Sequence, residues 1–244
     1  MTVRRKAYDV LRAITEDGAY ANIALKQASL YTSGNETRQL HSLVYNALDH
    51  RSFVDYILPY YCKRPKKSIY ALLLLGISEL LFLSTPAHAV INETVELAKE
   101  IGKREQCGFI NAVLRRINRE RNDLPPLPDD ACDRMAVLYG YPKFLIQEWI
   151  DSYGVDNALR IVQFQNTDLQ VRAQFPFSPD DLMKEIDTPF RRGELDPNCF
   201  YLEKAFDPGS NELYLNGKIT IQNEGAMMIC RSVPDIRGKR ILDA

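Results

Sequence analysis

The sequence contains no Cys-x-x-Cys pair and no Cys close to a His pair. Its cysteines are odd in number and widely separated: Cys62, Cys107, Cys132, Cys199 and Cys230. This spacing fits neither a disulfide framework nor a zinc site, and it is typical of the reducing cytoplasm. His88 has no second His or Cys at ligand distance, so we predict that it makes a structural hydrogen bond and that the chain binds no metal.

Long hydrophobic segments are also missing. Basic residues follow Met1, but the apolar core of a secretory signal peptide does not come after them. The most apolar stretch, residues 69–83, contains Ser78 and Glu79 and is too short to span a bilayer. We therefore predict a cytoplasmic protein with no membrane partner, in which this stretch is a buried helix.

The charge of the chain is unevenly distributed. Its net charge is −1, and 45% of its residues are hydrophobic and 26% charged, as in folded globular proteins. Up to Pro125 the basic residues outnumber the acidic ones by five, and from Pro126 onward the acidic residues are in excess by six. This asymmetry indicates two modules, of which the first is better suited to contact phosphate. On charge alone, two ordinary solvated surfaces remain an equal alternative.

The first half has helical periodicity throughout. Apolar stripes with i, i+3, i+4 spacing occur in residues 7–14, 40–48, 53–60, 90–98 and 109–117, and residues 66–83 are apolar nearly all round. Gly18 and Gly102 follow helices, and Pro86 stands at a helix start. The pattern predicts an all-α bundle with residues 66–83 at its centre.

The second half changes character after a Pro-rich connector. Asp129 or Asp130 and then Pro142 begin two helices, and residues 155–164 form a third. Alternating patterns predict strands at residues 170–175, 200–202 and 212–215, with a short helix starting at residues 178–181. We predict a helical domain over residues 1–124, a linker over 125–128, an α+β domain over 129–216 and the start of a further domain over 217–244.

Three separated motifs carry a family resemblance. They are Leu-Leu-Gly-Ile-Ser-Glu-Leu at residues 74–80, Pro-Ala-His-Ala-Val-Ile-Asn-Glu at 86–93 and Gly-Phe-Ile-Asn-Ala-Val-Leu-Arg-Arg at 108–116. In this order they closely resemble the NusB-like helical domain at the front of RsmB (Fmu/Sun)-type 16S rRNA (cytosine-5)-methyltransferases. The resemblance covers roughly residues 3–121. It implies a mainly α chain, in which a NusB-like bundle precedes a small α+β domain and the first strand of a Rossmann-like methyltransferase domain.

The end of the sequence resembles the entry to that catalytic domain. Residues 219–226 are similar to the segment before it, although the family more often has Asp where this chain has Asn223, and residues 241–244 resemble the opening of the first cofactor motif. In the family, a Cys-Ala-Ala-Pro-Gly-Gly-Lys loop then holds S-adenosylmethionine, and two later cysteines perform catalysis. Because this sequence includes neither, we expect a truncated chain that binds no cofactor, has no catalytic residue and is inactive as given, whereas the full-length family uses S-adenosylmethionine.

Basic residues at two helices are the candidate RNA contacts. Their positions suit phosphate binding, and the resemblance implies a similar use of the basic amino terminus: Arg4, Arg5, Lys6, Arg12, Arg115 and Arg116. The alternatives are a solvated terminus for the first four and ion pairs within the bundle for the last two. Asn111 is expected to be a buried polar group. Residues 63–67 form a basic turn that is either an accessory phosphate contact or a solvated surface.

Several tyrosines leave two interpretations open. Tyr8, Tyr20, Tyr31 and Tyr45 have side chains that could stack on unpaired bases, although helical spacing is more often that of packing residues. The leading prediction for the chain is the RNA-recognition and positioning region of an rRNA cytosine-5 methyltransferase. Its partner would be 16S rRNA, with no DNA, and it would contact its own methyltransferase domain. The alternatives are a standalone NusB-like transcription antitermination factor and a decayed gene product.

Overall fold

A computed structural model describes residues 1–30, 32–63, 65–164, 168–182, 185–186, 189–203, 208–209, 211–233, 238–240 and 242. The chain divides into two compact units, Met1–Phe164 and Gln165–Ala244. Within the described ranges, no helix combines the length and apolar composition needed to cross a membrane. The predicted fold class is confirmed, because a helical bundle is followed by a small region with an antiparallel sheet.

The first unit consists of helices, and its described residues contain no strand. In chain order these are α1 (Val3–Asp17), α2 (Ala21–Ser29), α3 (Gly34–Asp49), α4 (Arg51–Tyr61), α5 (Lys67–Phe82), α6 (Ala87–Glu100), the 3₁₀ turn Arg104–Gln106, α7 (Cys107–Arg119), α8 (Ala131–Tyr139), α9 (Lys143–Tyr153) and α10 (Val155–Gln163). The helix over Ala21–Ser29 was not predicted, because it buries only Leu25 and has no side-chain cap.

Local sequence explains where several of these helices begin and end. Thr2 caps α1 by accepting a hydrogen bond from the backbone N–H of Arg5 at 3.2 Å. Gly18 ends the helix in the left-handed conformation at φ 70°, which favours glycine. Asp130 caps α8 through the N–H of Asp133, and Pro142 precedes α9. These boundaries confirm the predictions at Gly18, Asp130 and Pro142.

Helix α5 is the centre of the bundle, as its uniformly apolar sequence predicts. Residues 71–80 are all buried, and α1, α3, α6 and α7 pack against the helix. Gly76 allows α5 and α6 to approach each other closely, because a Cβ there would lie 3.1 Å from Oγ1 of Thr94 on α6. The same helix buries one charged residue, Glu79, which is 3% exposed.

The division between the units differs from the predicted domain limits. Leu124 and Leu127, in and beside the predicted linker, pack against the core of the bundle, and the hydroxyl of Tyr56 donates to the carbonyl of Pro126 at 2.6 Å. Helix α8 packs on α4, and α9 and α10 pack with α8. The connector therefore lies on the helical unit, and residues 131–163 extend the bundle instead of starting the α+β region.

The second unit contains a four-stranded antiparallel sheet. Its elements are β1 (Leu169–Ala173), α11 (Pro179–Leu182), β2 (Phe190–Arg192), β3 (Cys199–Leu202), α12 (Glu212–Leu215), β4 (Ile219–Ile221) and α13 (Glu224–Ser232). The strand order β2-β3-β1-β4, with α11 and α12 in the two connections, is that of the split β-α-β-β-α-β motif. Because β4 pairs with β1, the predicted boundary between residues 216 and 217 does not coincide with a structural break.

One predicted strand is wrong. Residues 212–215 form α12, because the side chain of Asn211 accepts a hydrogen bond from the N–H of Tyr214 at 3.0 Å and caps a helical turn. The strands predicted at residues 170–175 and 200–202 are present as β1 and β3, and the short helix is α11. Ile241, Asp243 and Ala244, in the predicted first strand of the next domain, lie outside the described residues.

A buried carboxylate fastens α13 to the turn between β2 and β3. Glu224 is 4% exposed. Its Oε1 accepts from the N–H groups of Leu195 and Asp196 at 2.7 and 2.9 Å, and its Oε2 accepts from the hydroxyl of Tyr201 at 2.5 Å. Burial opposes ionisation, but these hydrogen bonds lower the pKa of Glu224 below its ordinary value of 4.5. The same interaction raises the pKa of Tyr201 to about 12.

The second unit should therefore lose stability in acid. Folding lowers the pKa of Glu224, so the folded state binds fewer protons than the unfolded state. The Glu224 carboxylate therefore stabilises the folded second unit above about pH 4.5, and this stabilisation is lost as the pH falls below that value. We expect E224Q to lose about 2 kcal/mol at pH 7 and to show a smaller acid dependence. Hydrogen-exchange protection of the Leu195 and Asp196 amides measures this. The exposed variant E203Q is the control and should behave as the wild type.

Candidate RNA interface

Arg4 is not part of the exposed basic cluster in which the sequence places it. The residue is 8% exposed. Its guanidinium donates to Oε2 of Glu79 at 2.5 Å, to Oε2 of Glu93 at 2.8 Å and to Oγ1 of Thr94 at 3.3 Å. Arg4 thus neutralises the buried acid of α5, and in this conformation its donors are directed into the protein.

Arg5 and Lys6 are half-buried residues of α1. Arg5 pairs with Asp9 at 2.9 Å on its own helix and with Glu100 at 3.4 Å at the end of α6. The hydrogen bond to Asp9 is the main reason why the pKa of Arg5 is raised. Because two acids already share its charge, Arg5 presents less net positive charge to a phosphate than an unpaired arginine would.

Arg12 is exposed, and its guanidinium has no hydrogen bond or ion pair with any described residue. It lies one helical turn before Glu16, which lines a cleft of about 670 Å³ together with Thr15 of the same helix. The cleft lies between α1, α4 and the connector from α4 to α5. Lys63 and Lys67 are exposed on its lining, so the predicted contact on α1 and the predicted basic turn border one depression.

A second cleft of about 400 Å³ continues this basic region. Lys66 lines it together with Lys103 and Arg104, which lie between α6 and α7. The hydroxyl of Tyr8 donates to the carbonyl of Ser68, another lining residue, at 3.3 Å and so ties α1 to this part of the surface. Sequence reasoning did not select Lys103 and Arg104, although a basic pair just after Gly102 was visible as a signal.

We define the basic face as the cationic residues of these two clefts and the adjoining turn of α1. Its members are Arg12, Lys63, Lys66, Lys67, Lys103 and Arg104. Within the described part of the chain none of the six forms an ion pair, whereas the neighbouring Arg5 and Arg51 both do. Arg64, which belongs to the predicted basic turn, lies outside the described residues.

Arg115 and Arg116 are both exposed on α7, but they have different partners. Arg115 donates to Oδ1 of Asn111 at 3.0 Å, so Asn111 is a half-buried residue of the helix surface and not the buried polar group that was expected. Arg116 pairs with Glu120 at 3.2 Å, donates to the carbonyl of Tyr60 at 3.4 Å and lies over the ring of Tyr61. This places Arg116 at the end of α4, shortly before the basic turn, whereas the partner of Arg115 lies on its own helix.

The tyrosines considered for base stacking lie in different environments. Tyr8 is 4% exposed and belongs to the core, whereas Tyr20 is 76% and Tyr45 is 44% exposed. Tyr31 lies outside the described residues. The exposed rings of Tyr20 and Tyr45 remain candidates for stacking, and Tyr8 serves packing.

Three of the thiols are poorly suited to nucleophilic chemistry. Burial raises the pKa of Cys62 and is the main cause of the raised pKa of Cys132. Burial, reinforced by Glu224 and Asp196, raises the pKa of Cys199 to about 12. A thiol with such a pKa is almost fully protonated at neutral pH. Among the described residues, no group of His, Cys, Asp and Glu side chains is arranged to hold a metal ion.

The amino-terminal part of the chain matches a family model. The NusB family model matches residues 1–119, which form helices α1 to α7 of the first unit. These residues therefore constitute a NusB-family domain. The match confirms the resemblance based on the three motifs, and it includes both clefts of the basic face.

Curated relatives extend the similarity through the second unit. The chain is 29% identical over its whole length to a probable ribosomal RNA small subunit methyltransferase B from Bacillus subtilis, of which it covers 57%. It is 27% identical to the ribosomal RNA small subunit methyltransferase B of Vibrio cholerae and 25% identical to that of Xanthomonas campestris pv. campestris, covering 57% and 55% of them. The chain is thus similar to the amino-terminal region of RsmB-type proteins. It spans about half the length of these relatives.

A solved structure shares the fold. The crystal structure of PH0851 superposes on 93% of this chain and on 55% of its own, with a TM-score of 0.64 and 14% sequence identity. At this identity the similarity concerns the arrangement of helices and strands, and it carries no information on the residues of a site.

Proposed function

We propose that this chain is the RNA-binding and positioning region of an S-adenosylmethionine-dependent rRNA (cytosine-5)-methyltransferase of the cytoplasm, and that its partner is the small-subunit 16S rRNA. The basic face is the observation that carries the proposal. It gathers six cations that have no ion-pair partner among the described residues, on a NusB-family domain. The relatives whose names contain small subunit methyltransferase B supply the class of RNA.

The chemistry of the basic face fits a phosphate backbone. Lysine and arginine side chains without acidic partners neutralise phosphates and release condensed counterions, which supplies most sequence-independent affinity for nucleic acids. Lys67 lines the first cleft and Lys66 lines the second, so consecutive cations connect the two clefts into one track for an RNA backbone. Arg5, Lys6 and Arg116 line neither cleft and are accessory contacts in the proposal, and Arg115 is assigned a separate contact with RNA.

The extent of the similarity favours this function over a standalone antitermination factor. A NusB-like protein acting alone would need only the domain matched over residues 1–119. The similarity to the Bacillus subtilis relative instead covers the whole chain, including the sheet of the second unit. A contact between this region and a methyltransferase domain is part of the same proposal.

Methyl transfer itself is assigned to no residue of this chain. Within residues 241–244, which resemble the opening of the cofactor motif, the structure describes only Leu242. S-adenosylmethionine would supply the methyl group in a longer protein of this type. The residues described here would bind and orient the RNA.

Removing charge from the basic face should weaken RNA binding and its salt dependence together. We expect the triple variant K63Q/K66Q/K67Q to bind small-subunit rRNA about tenfold more weakly than the wild type at 100 mM salt, because three phosphate contacts are lost. The slope of log affinity against log salt concentration should become less steep by about 2. Filter binding with the full chain measures both quantities.

A matched control removes the same charge elsewhere. The triple variant K26Q/R121Q/R160Q replaces three exposed cations that line neither cleft, and it should keep the wild-type slope. Equal losses of affinity in the two triple variants would mean that net charge, and not the basic face, controls binding. No measurable affinity of the wild-type chain for rRNA would contradict the proposed function itself.

A further inference from the structure

The cleft beside Glu16 has the size and lining of a ligand pocket. Its volume of about 670 Å³ lies within the range of small-molecule sites. Part of the wall is apolar, formed by Leu58, Pro59, Cys62 and Pro65. The charged lining consists of Lys63 and Lys67, which are unpaired among the described residues, and of Arg51 and Asp55, which pair with each other. An apolar wall beside these two unpaired cations suits a ligand with one flat, poorly hydrated part and one anionic part.

Glu16 adds a hydrogen-bond acceptor to this lining. Its Oε1 is covered by protein and has no hydrogen-bond partner among the described residues. Neighbouring hydroxyls are committed elsewhere, because Thr15 donates to the carbonyl of Leu11 at 2.8 Å and Tyr70 donates to Asp55 at 2.8 Å. A carboxylate oxygen without a donor is costly, so a ligand that supplies an N–H group gains free energy. Glu16 is half-buried and lines the cleft, so its carboxyl group is an acceptor available to a ligand held there.

We propose that this cleft holds one unstacked RNA nucleotide whose base carries an exocyclic amino group. The base lies against the apolar wall, its amino group donates to the carboxylate of Glu16, and Lys63 and Lys67 bind the adjoining phosphate. Uracil is disfavoured, because its O4 atom would face the carboxylate where cytosine presents its N4 amino group. The inference rests on the proposed RNA-binding function and adds base selectivity to it.

A pair of pyrimidine hexamers isolates the contact. Oligocytidine and oligouridine have similar size and backbone, and at the edge that Glu16 reads they differ in the 4-substituent and in whether N3 carries a proton. We expect the full chain to bind the cytidine hexamer about tenfold more tightly in fluorescence anisotropy titrations. In E16Q the ratio should fall to about 1 or below, because an amide can donate to O4 of uracil as well as accept from N4 of cytosine. In K63Q/K67Q both affinities should fall while the ratio is kept.

The control separates recognition from simple charge repulsion. D17N removes the same charge from an exposed neighbour that does not line the cleft, and it should keep the wild-type ratio. If E16Q strengthens binding of both hexamers equally, Glu16 acts only by repelling phosphate and the inference is overturned. Equal affinities of the wild type for both hexamers, or no binding of either while rRNA binds, also overturn it and leave the proposed function intact. If the wild-type chain binds neither hexamer and also fails to bind rRNA, both the inference and the proposed function are contradicted.

Discussion

Arg4→Ala should lower the free energy of unfolding of the helical unit by about 3–5 kcal/mol. The substitution leaves Glu79, which is 3% exposed, as a buried carboxylate without its guanidinium partner. It also removes the donor to Thr94, which is fully buried. Breaking a buried ion pair on one side costs far more than the pair contributes as a whole, because the remaining charge keeps its desolvation penalty.

Urea unfolding followed by the fluorescence of Trp149 measures this effect, since the single tryptophan lies in the helical unit. Arg12→Ala is the matched control, because Arg12 is exposed and unpaired, and its stability should stay within about 0.5 kcal/mol of the wild type. The RNA affinities should show the opposite order, with folded R4A close to the wild type and R12A weaker. An R4A protein as stable as the wild type would show that the Arg4–Glu79 pair is not needed.

Gly193→Ala should destabilise the second unit by about 3 kcal/mol. An added Cβ would overlap Oε1 of Glu224 and would lie 2.5 Å from the Cβ of Cys199 and 3.0 Å from the carbonyl of Asp196. Glu224 is held by hydrogen bonds from the backbone and from Tyr201, and Cys199 is fully buried in β3, so neither side chain has room to move. The turn between β2 and β3 would have to open.

Hydrogen exchange followed by mass spectrometry resolves the two units. In G193A the peptides from β1 and β3 should lose protection, while those from α1 and α5 keep it, because Met1–Phe164 is a separate compact unit. Gly108→Ala is the control, since a Cβ there meets nothing within 4 Å and alanine favours the helix. Unchanged protection of the sheet in G193A would mean that the turn accommodates a methyl group.

The periodicity of apolar residues alone is sufficient to predict the long helices. The apolar stripe of α7 and the uniformly apolar α5 left no competing interpretation, and Asp130 and Gly18 fixed two boundaries through their own chemistry. Residues 212–215 were misread, because four residues are too few to show a period and the deciding group, the side chain of Asn211, lies outside them. The same shortness hid β2 and β4, whose three-residue strands are defined by pairing with β3 and β1.

The candidate site shows a different limit of prediction from the sequence. The sequence placed Arg4 beside Arg5 and Lys6, but the partner that buries Arg4 is Glu79, 75 residues later. Nothing local distinguishes an arginine that pairs with a distant acid from one that faces solvent. Likewise, Lys66 and Lys103 come from two connectors, and only the packing of α5 against its neighbours brings them to one cleft. The sequence predicts the chemistry of each residue, whereas only the folded structure shows which residues lie together.

The salt dependence of rRNA binding by the wild-type chain tests the central claim most directly. If the six cations of the basic face each neutralise a phosphate, log affinity should fall against log salt concentration with a slope of about −4, so that binding weakens about 250-fold between 50 and 200 mM salt. Binding that is absent at low salt, or that does not change over this range, would contradict the assignment of the basic face as the RNA interface.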